Sequence, residues 1–125
     1  MLIMSYFSEG NKSYNNKEYE KAIDCYKKSV SEKENEACSL YNLGVCFIKL
    51  KNYKSAILML QKAIELQKES KYYFNLGYCY AMLNVTNKAL LNFNVSWALN
   101  NEDFDCERAI SMLTTKILKG WIYQR

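Results

Sequence analysis

Three glycines, Gly10, Gly44 and Gly77, stand 34 and 33 residues apart, and the residues that follow each are alike. An alanine comes twelve residues later (Ala22, Ala56, Ala89), and sixteen later a large apolar or aromatic residue (Tyr26, Leu60, Phe93). Nineteen later stands a small one (Ser29, Ala63, Ser96). The stretches YNLGVCF (41–47) and FNLGYCY (74–80) are near copies, and FSEGNKS (7–13) is a weaker third. Self-similarity at a fixed period constrains the fold more than composition does. A unit this short cannot bury its apolar face alone, so successive units must stack.

Within each unit the apolar residues recur at three and four, the period of a helix and not of a strand. Small residues at the glycine and alanine positions let two antiparallel helices approach, and the large residue fills the gap between them. Short polar turns separate the two helices of a unit: 15–18, Lys51-Asn52 and 84–87. Between units lie SEKENE, QKES and NNED, whose Asn, Ser and acidic residues can stop one helix and start the next. After the third unit, Ala109, Ile110, Leu113, Ile117 and Leu118 outline one more amphipathic helix. The acidic residues Glu102, Asp103, Asp105 and Glu107 stand where it begins and are expected to cap it.

In its order of Leu-Gly, aromatic, turn Tyr and small Ala, the chain resembles the tetratricopeptide repeat (TPR) family. The segments that carry the likeness are YNLGVCFIKLKNYKSAILMLQKAIEL and EGNKSYNNKEYEKAIDCYKKSV. The expectation is a single all-α domain with repeats at about 3–36, 37–69 and 70–103, a capping helix over 104–119 and a tail over 120–125. The resemblance implies a right-handed superhelix of three helix-turn-helix units plus the cap, seven helices in all. Departures are few: Glu9 replaces the Leu before Gly, Thr86 replaces the turn tyrosine of the third unit, and the family's closing proline is missing.

The resemblance further implies a concave groove, lined by the first helix of each unit, that holds a peptide or helix of a partner. The stripe facing it is expected to include Phe7, Asn11, Tyr41, Asn42, Lys49, Lys71, Phe74, Asn75 and Tyr78. Aromatics there supply contact area at low entropic cost, and asparagines can hold a peptide backbone through paired donor and acceptor. One TPR subclass grips the C-terminal carboxylate of heat-shock chaperones. Asn11, Asn42 and Lys71 match its pattern, but Phe7 and Asn75 stand where basic residues are expected. A second subclass, the chaperones of type III secretion, binds apolar segments and suits this stripe better.

Composition narrows the alternatives. The chain has no His, the usual general base and metal ligand near pH 7, and no phosphate loop or nucleophile elbow. No enzyme, cofactor or metal role is expected. The net charge of +4 comes from fifteen lysines and two arginines scattered beside glutamates, which reads as solvated helix faces and not as a nucleic-acid stripe. The five cysteines form no C-x-x-C pair and are expected to be reduced and mostly buried. No apolar run is long enough to span a bilayer, and a cytoplasmic location is expected. The alternative to a peptide module is a self-associating assembly protein, a homodimer joined through its terminal helices. Leu2, Ile3 and Met4 at one end, and Trp121 and Ile122 at the other, would supply the apolar contact.

Overall fold

A computed structural model describes residues 4–123. Among them are seven helices: α1 (Tyr6–Asn15), α2 (Tyr19–Ser31), α3 (Glu36–Lys49), α4 (Tyr53–Leu66), α5 (Ser70–Met82), α6 (Thr86–Leu99) and α7 (Phe104–Tyr123). They fall into two compact units, one ending at Lys68 and the other beginning at Glu69. In the first, α1 packs on α2, α2 on α3 and α3 on α4. In the second, α5 packs on α6 and α6 on α7.

Each helix pair closes at the positions the repeat marks. Ala22, Ala56 and Ala89 are fully buried, and Tyr26, Leu60 and Phe93 lie directly against Gly10, Gly44 and Gly77. A Cβ built on those glycines would meet the facing side chain at 2.6, 2.8 and 2.8 Å, inside van der Waals contact. The three glycines therefore serve close approach. None of them has a positive φ.

The turns close on local backbone bonds. Helices α1, α2, α3 and α5 all end in the same two backbone bonds, in which the residue after the cap and the next one reach back into the last turn. Lys17 N–H donates to Tyr14 and Glu18 N–H to Ser13, both at 2.9 Å; Lys51 and Asn52 do the same to Ile48 and Phe47 at 2.9 and 2.8 Å. Lys33 with Glu34 and Asn84 with Val85 complete the set. Lys17, Lys33, Lys51 and Asn84 have φ of 61, 54, 61 and 61°, the left-handed region that glycine usually fills. Asn35, which precedes α3, shares it at 46°.

Two of the small residues nineteen after a glycine, Ser29 and Ser96, do more than leave room. The hydroxyls of Ser29 and Ser39 lie 2.8 Å apart, and each reaches the carbonyl of Glu34, at 2.7 and 3.1 Å. The α2–α3 turn, which has no proline, is tied down there. In the second unit Ser70 Oγ donates to the carbonyl of Ser96, and Ser96 Oγ to that of Ser70, both at 2.9 Å. Asp103 caps α7, its Oδ1 accepting the N–H of Asp105 at 3.0 Å and of Cys106 at 3.2 Å.

One boundary differs from the sequence expectation. Helix α7 was expected to stop at Lys119, but it runs through Gly120 to Tyr123. Gly120 lies in the helix with no positive φ, and nothing lies within 4 Å of where its Cβ would be. A glycine that meets no neighbour costs an exposed helix only about 1 kcal/mol and does not end it. The tail is therefore helical as far as Tyr123. Helix α7 packs on α6 through Cys106, Ala109, Ile110 and Leu113, and residues 114–120 are exposed. Leu2 and Ile3, and the side chains of Trp121 and Ile122, lie outside the described residues.

Candidate functional site

In the first unit, α1 and α3 meet at Asn11 and Asn42, whose side chains approach to 3.5 Å between Asn42 Nδ2 and Asn11 Oδ1. Beside them lies a cavity of about 390 Å³ lined by Asn11, Tyr14, Asn15, Tyr26, Tyr41, Asn42 and Val45. The helical period explains the lining. Tyr41 and Val45 are one turn apart on α3, and Asn11 and Tyr14 three apart on α1, so each pair shares a face. Not one lining residue carries a charge.

Beneath the asparagines sits Tyr26, exposed by only 1%. Its hydroxyl donates to Asn11 Oδ1 at 2.6 Å, a short bond for two neutral groups. Burial pushes the phenol well above the ordinary tyrosine range. The neighbouring Cys46 adds to the shift, and a hydrogen bond with Asn42 opposes it. Tyr26 is thus a protonated donor across the neutral range. Burial also pushes the Cys46 thiol up to about 12, so it remains an uncharged filler.

The structure brings three of the nine expected groove residues, Asn11, Tyr41 and Asn42, to this cavity. Phe7 lies half-buried on α1 with its ring 6.1 Å from that of Tyr26 and its N–H bonded to Glu34 Oε1 at 3.1 Å. Lys49 is exposed at the last residue of α3, outside the lining. The other four stand on α5 of the second unit. Phe74 packs 5.3 Å from the ring of Phe93, and Asn75 Nδ2 donates back to the carbonyl of Lys71 at 2.9 Å. Lys71 Nζ lies 4.0 Å from Glu69 and 6.0 Å from the ring of Tyr72. Tyr78 is partly exposed.

From the sequence Tyr26 reads as a packing residue alone. The signal that could have found it is the hydroxyl at a position where the equivalents, Leu60 and Phe93, have none.

Residues 14–69 match the family model of the tetratricopeptide repeat. Over 61 residues, 46% of this chain, the sequence is 36% identical to protein unc-45 homolog B of Xenopus tropicalis, of whose length the chain spans 7%. The first TPR of Spaghetti (RPAP3) bound to HSP90 peptide SRMEEVD has a TM-score of 0.86 at 20% identity, over 90% of both chains. The Yersinia enterocolitica type III secretion chaperone SycD, in complex with a peptide of the translocator YopD, has a TM-score of 0.84 at 15% identity. That likeness covers 89% of this chain and 91% of the other. At such identities the two structures speak for the fold. They agree with the spacing of Gly10, Gly44 and Gly77 and with the repeat model matched over residues 14–69: the chain has the tetratricopeptide-repeat fold.

Proposed function

We propose that the chain is a non-catalytic interaction module that binds a peptide or helix of a partner protein, with the α1–α3 cavity as a contact point. The observation that carries this is the convergence of Asn11, Tyr41 and Asn42 on one uncharged concavity. Phe7 and Lys49 stand on α1 and α3 of the same unit, and Lys71, Phe74, Asn75 and Tyr78 offer the corresponding stripe on α5. Two solved structures of this fold, the RPAP3 repeat and SycD, hold peptides. With Phe7 and Asn75 where a carboxylate clamp would need cations, the secretion-chaperone manner of binding suits this chain better. The same reading puts the module in the cytoplasm, which five cysteines without a disulfide suit.

The test is selection from a displayed random-peptide library. Wild type runs beside a Tyr41→Ala/Asn42→Ala variant whose helicity and melting are checked first. Peptides enriched on the wild type and lost on the folded variant are the expected result. No enrichment, or the same enrichment on both, would end the proposal.

A second reading, self-association, is favoured by α7, where Phe104, Met112 and Leu118 are 72, 69 and 56% exposed. Light scattering over a wide concentration range separates the two, since a constant monomer mass excludes assembly.

A further inference from the structure

Tyr26 does the same packing as Leu60 and Phe93, with one polar atom more. Those two close their helix pairs against Gly44 and Gly77 with no hydroxyl, so the hydroxyl of Tyr26 is not needed to close the first pair. Its ring lies on Gly10 and its oxygen reaches past, to Asn11 Oδ1 at 2.6 Å. A carboxamide is planar, and fixing its oxygen fixes its NH2. Asn42 Nδ2 approaches the same oxygen at 3.5 Å. Among the described residues this leaves the NH2 of Asn11 and the Oδ1 of Asn42 without a partner. Both side chains border the cavity.

We infer, building on the peptide-module reading above, that this cavity recognises an uncharged peptide group bearing an apolar side chain, and that Tyr26 sets its polarity. Asn11 donates to the peptide carbonyl and Asn42 accepts from the peptide N–H. One donor beside one acceptor is the complement of one backbone amide. Tyr14, Tyr41 and Val45 supply the surface for the apolar side chain. A carboxylate entering here would meet no cation in the lining to offset its charge. Tyr26, itself 1% exposed, touches both asparagines, acts through them and is a positioning residue.

The experiment reads the side-chain amide signals of Asn11 and Asn42 in isotope-labelled protein by NMR. N-methylacetamide serves as the neutral peptide group and acetate as the carboxylate, at matched ionic strength. N-methylacetamide is expected to move both signals, and acetate neither. Tyr26→Phe, whose ring matches Phe93, is expected to melt near wild type yet lose the response at Asn11. It should bind a library-selected peptide about fivefold more weakly, the effect of one lost hydrogen bond. Asn11→Asp keeps an acceptor for Tyr26 but has no donor, and should lose the response at Asn42, the amide signal it retains.

Acetate moving the same signals as strongly, or Tyr26→Phe responding in full, would overturn the inference. If the library yields no peptide while N-methylacetamide still moves both signals, the module reading falls and the cavity chemistry stands. Selected peptides that bind Tyr26→Phe as well as wild type would remove the inference alone.

Discussion

The Cβ that Gly77 lacks would stand 2.8 Å from both Cδ1 and Cε1 of Phe93. Phe93 is 3% exposed and cannot swing away without displacing Phe74, whose ring lies 5.3 Å from its own. Gly77→Ala is therefore expected to destabilise by about 1–3 kcal/mol, as overpacking does. Gly120→Ala meets nothing within 4 Å and is expected to strengthen α7 by about 0.5–1 kcal/mol. Urea unfolding for the first and helicity with melting for the second check the pair. Changes of the same sign would refute the close-approach account.

The thiols should separate by access. Cys38 is exposed and Cys25 half-buried, while Cys46, Cys79 and Cys106 are fully buried. A chromogenic disulfide reagent is expected to modify Cys38 first in the native protein. The three buried thiols should react only as fast as the fold opens. Prompt labelling of Cys79 at neutral pH would contradict its burial.

Alkaline pH should weaken the fold through Cys46 and Cys79. Burial holds both near 12, against 9.0 for a free thiol. Below 9.0 both states keep these protons and the two groups add no pH dependence. Above it the unfolded chain releases protons that the folded chain retains, so stability falls as pH rises towards 12. Urea midpoints across that range should drop less steeply for Cys79→Ala than for wild type. Parallel profiles would rule the thiol out as a cause.

The reciprocal serine pair of the second unit should behave as a unit. Ser96→Ala removes a donor to Ser70 and leaves buried polar groups short of a partner, at about 1–3 kcal/mol. A double-mutant cycle with Ser70→Ala is expected to show coupling above about 0.5 kcal/mol, and strict additivity would disprove the pairing.

Much of this fold is legible in the letters. The spacing of Gly44, Ala56 and Leu60 reports burial at helical period, and Asp103 before Phe104 announces a cap. What stays hidden is the use of polar atoms. Ser29 and Ser96 read as merely small, and Tyr26 as merely large, because a hydroxyl's partner is known only once another helix has been placed. Cys38 reads like the other cysteines, although it is exposed on α3. Gly120 reads as a stop, because a glycine's letter does not say whether its backbone turns. Of the expected groove, Asn11, Tyr41 and Asn42 come together because α1 and α3 belong to one packed unit. Phe7 and Phe74 lie against Tyr26 and Phe93, since an aromatic at that position packs within its own unit as readily as it faces a ligand.

The left-handed residues at the helix ends bear on the order of events in folding. Asn84 tolerates its turn, whereas Lys17, Lys33 and Lys51 each oppose the turn they occupy by roughly 1 kcal/mol relative to glycine. Such a turn is a poor nucleus, so a hairpin must form by collision of its two helices, and the connection tightens after they dock. Lys51→Gly is accordingly expected to add about 0.5–1 kcal/mol of stability. Nearly all of that gain should appear as slower unfolding and little as faster folding, in the two arms of a stopped-flow chevron. If the folding arm moves instead, the connection leads and the helices follow.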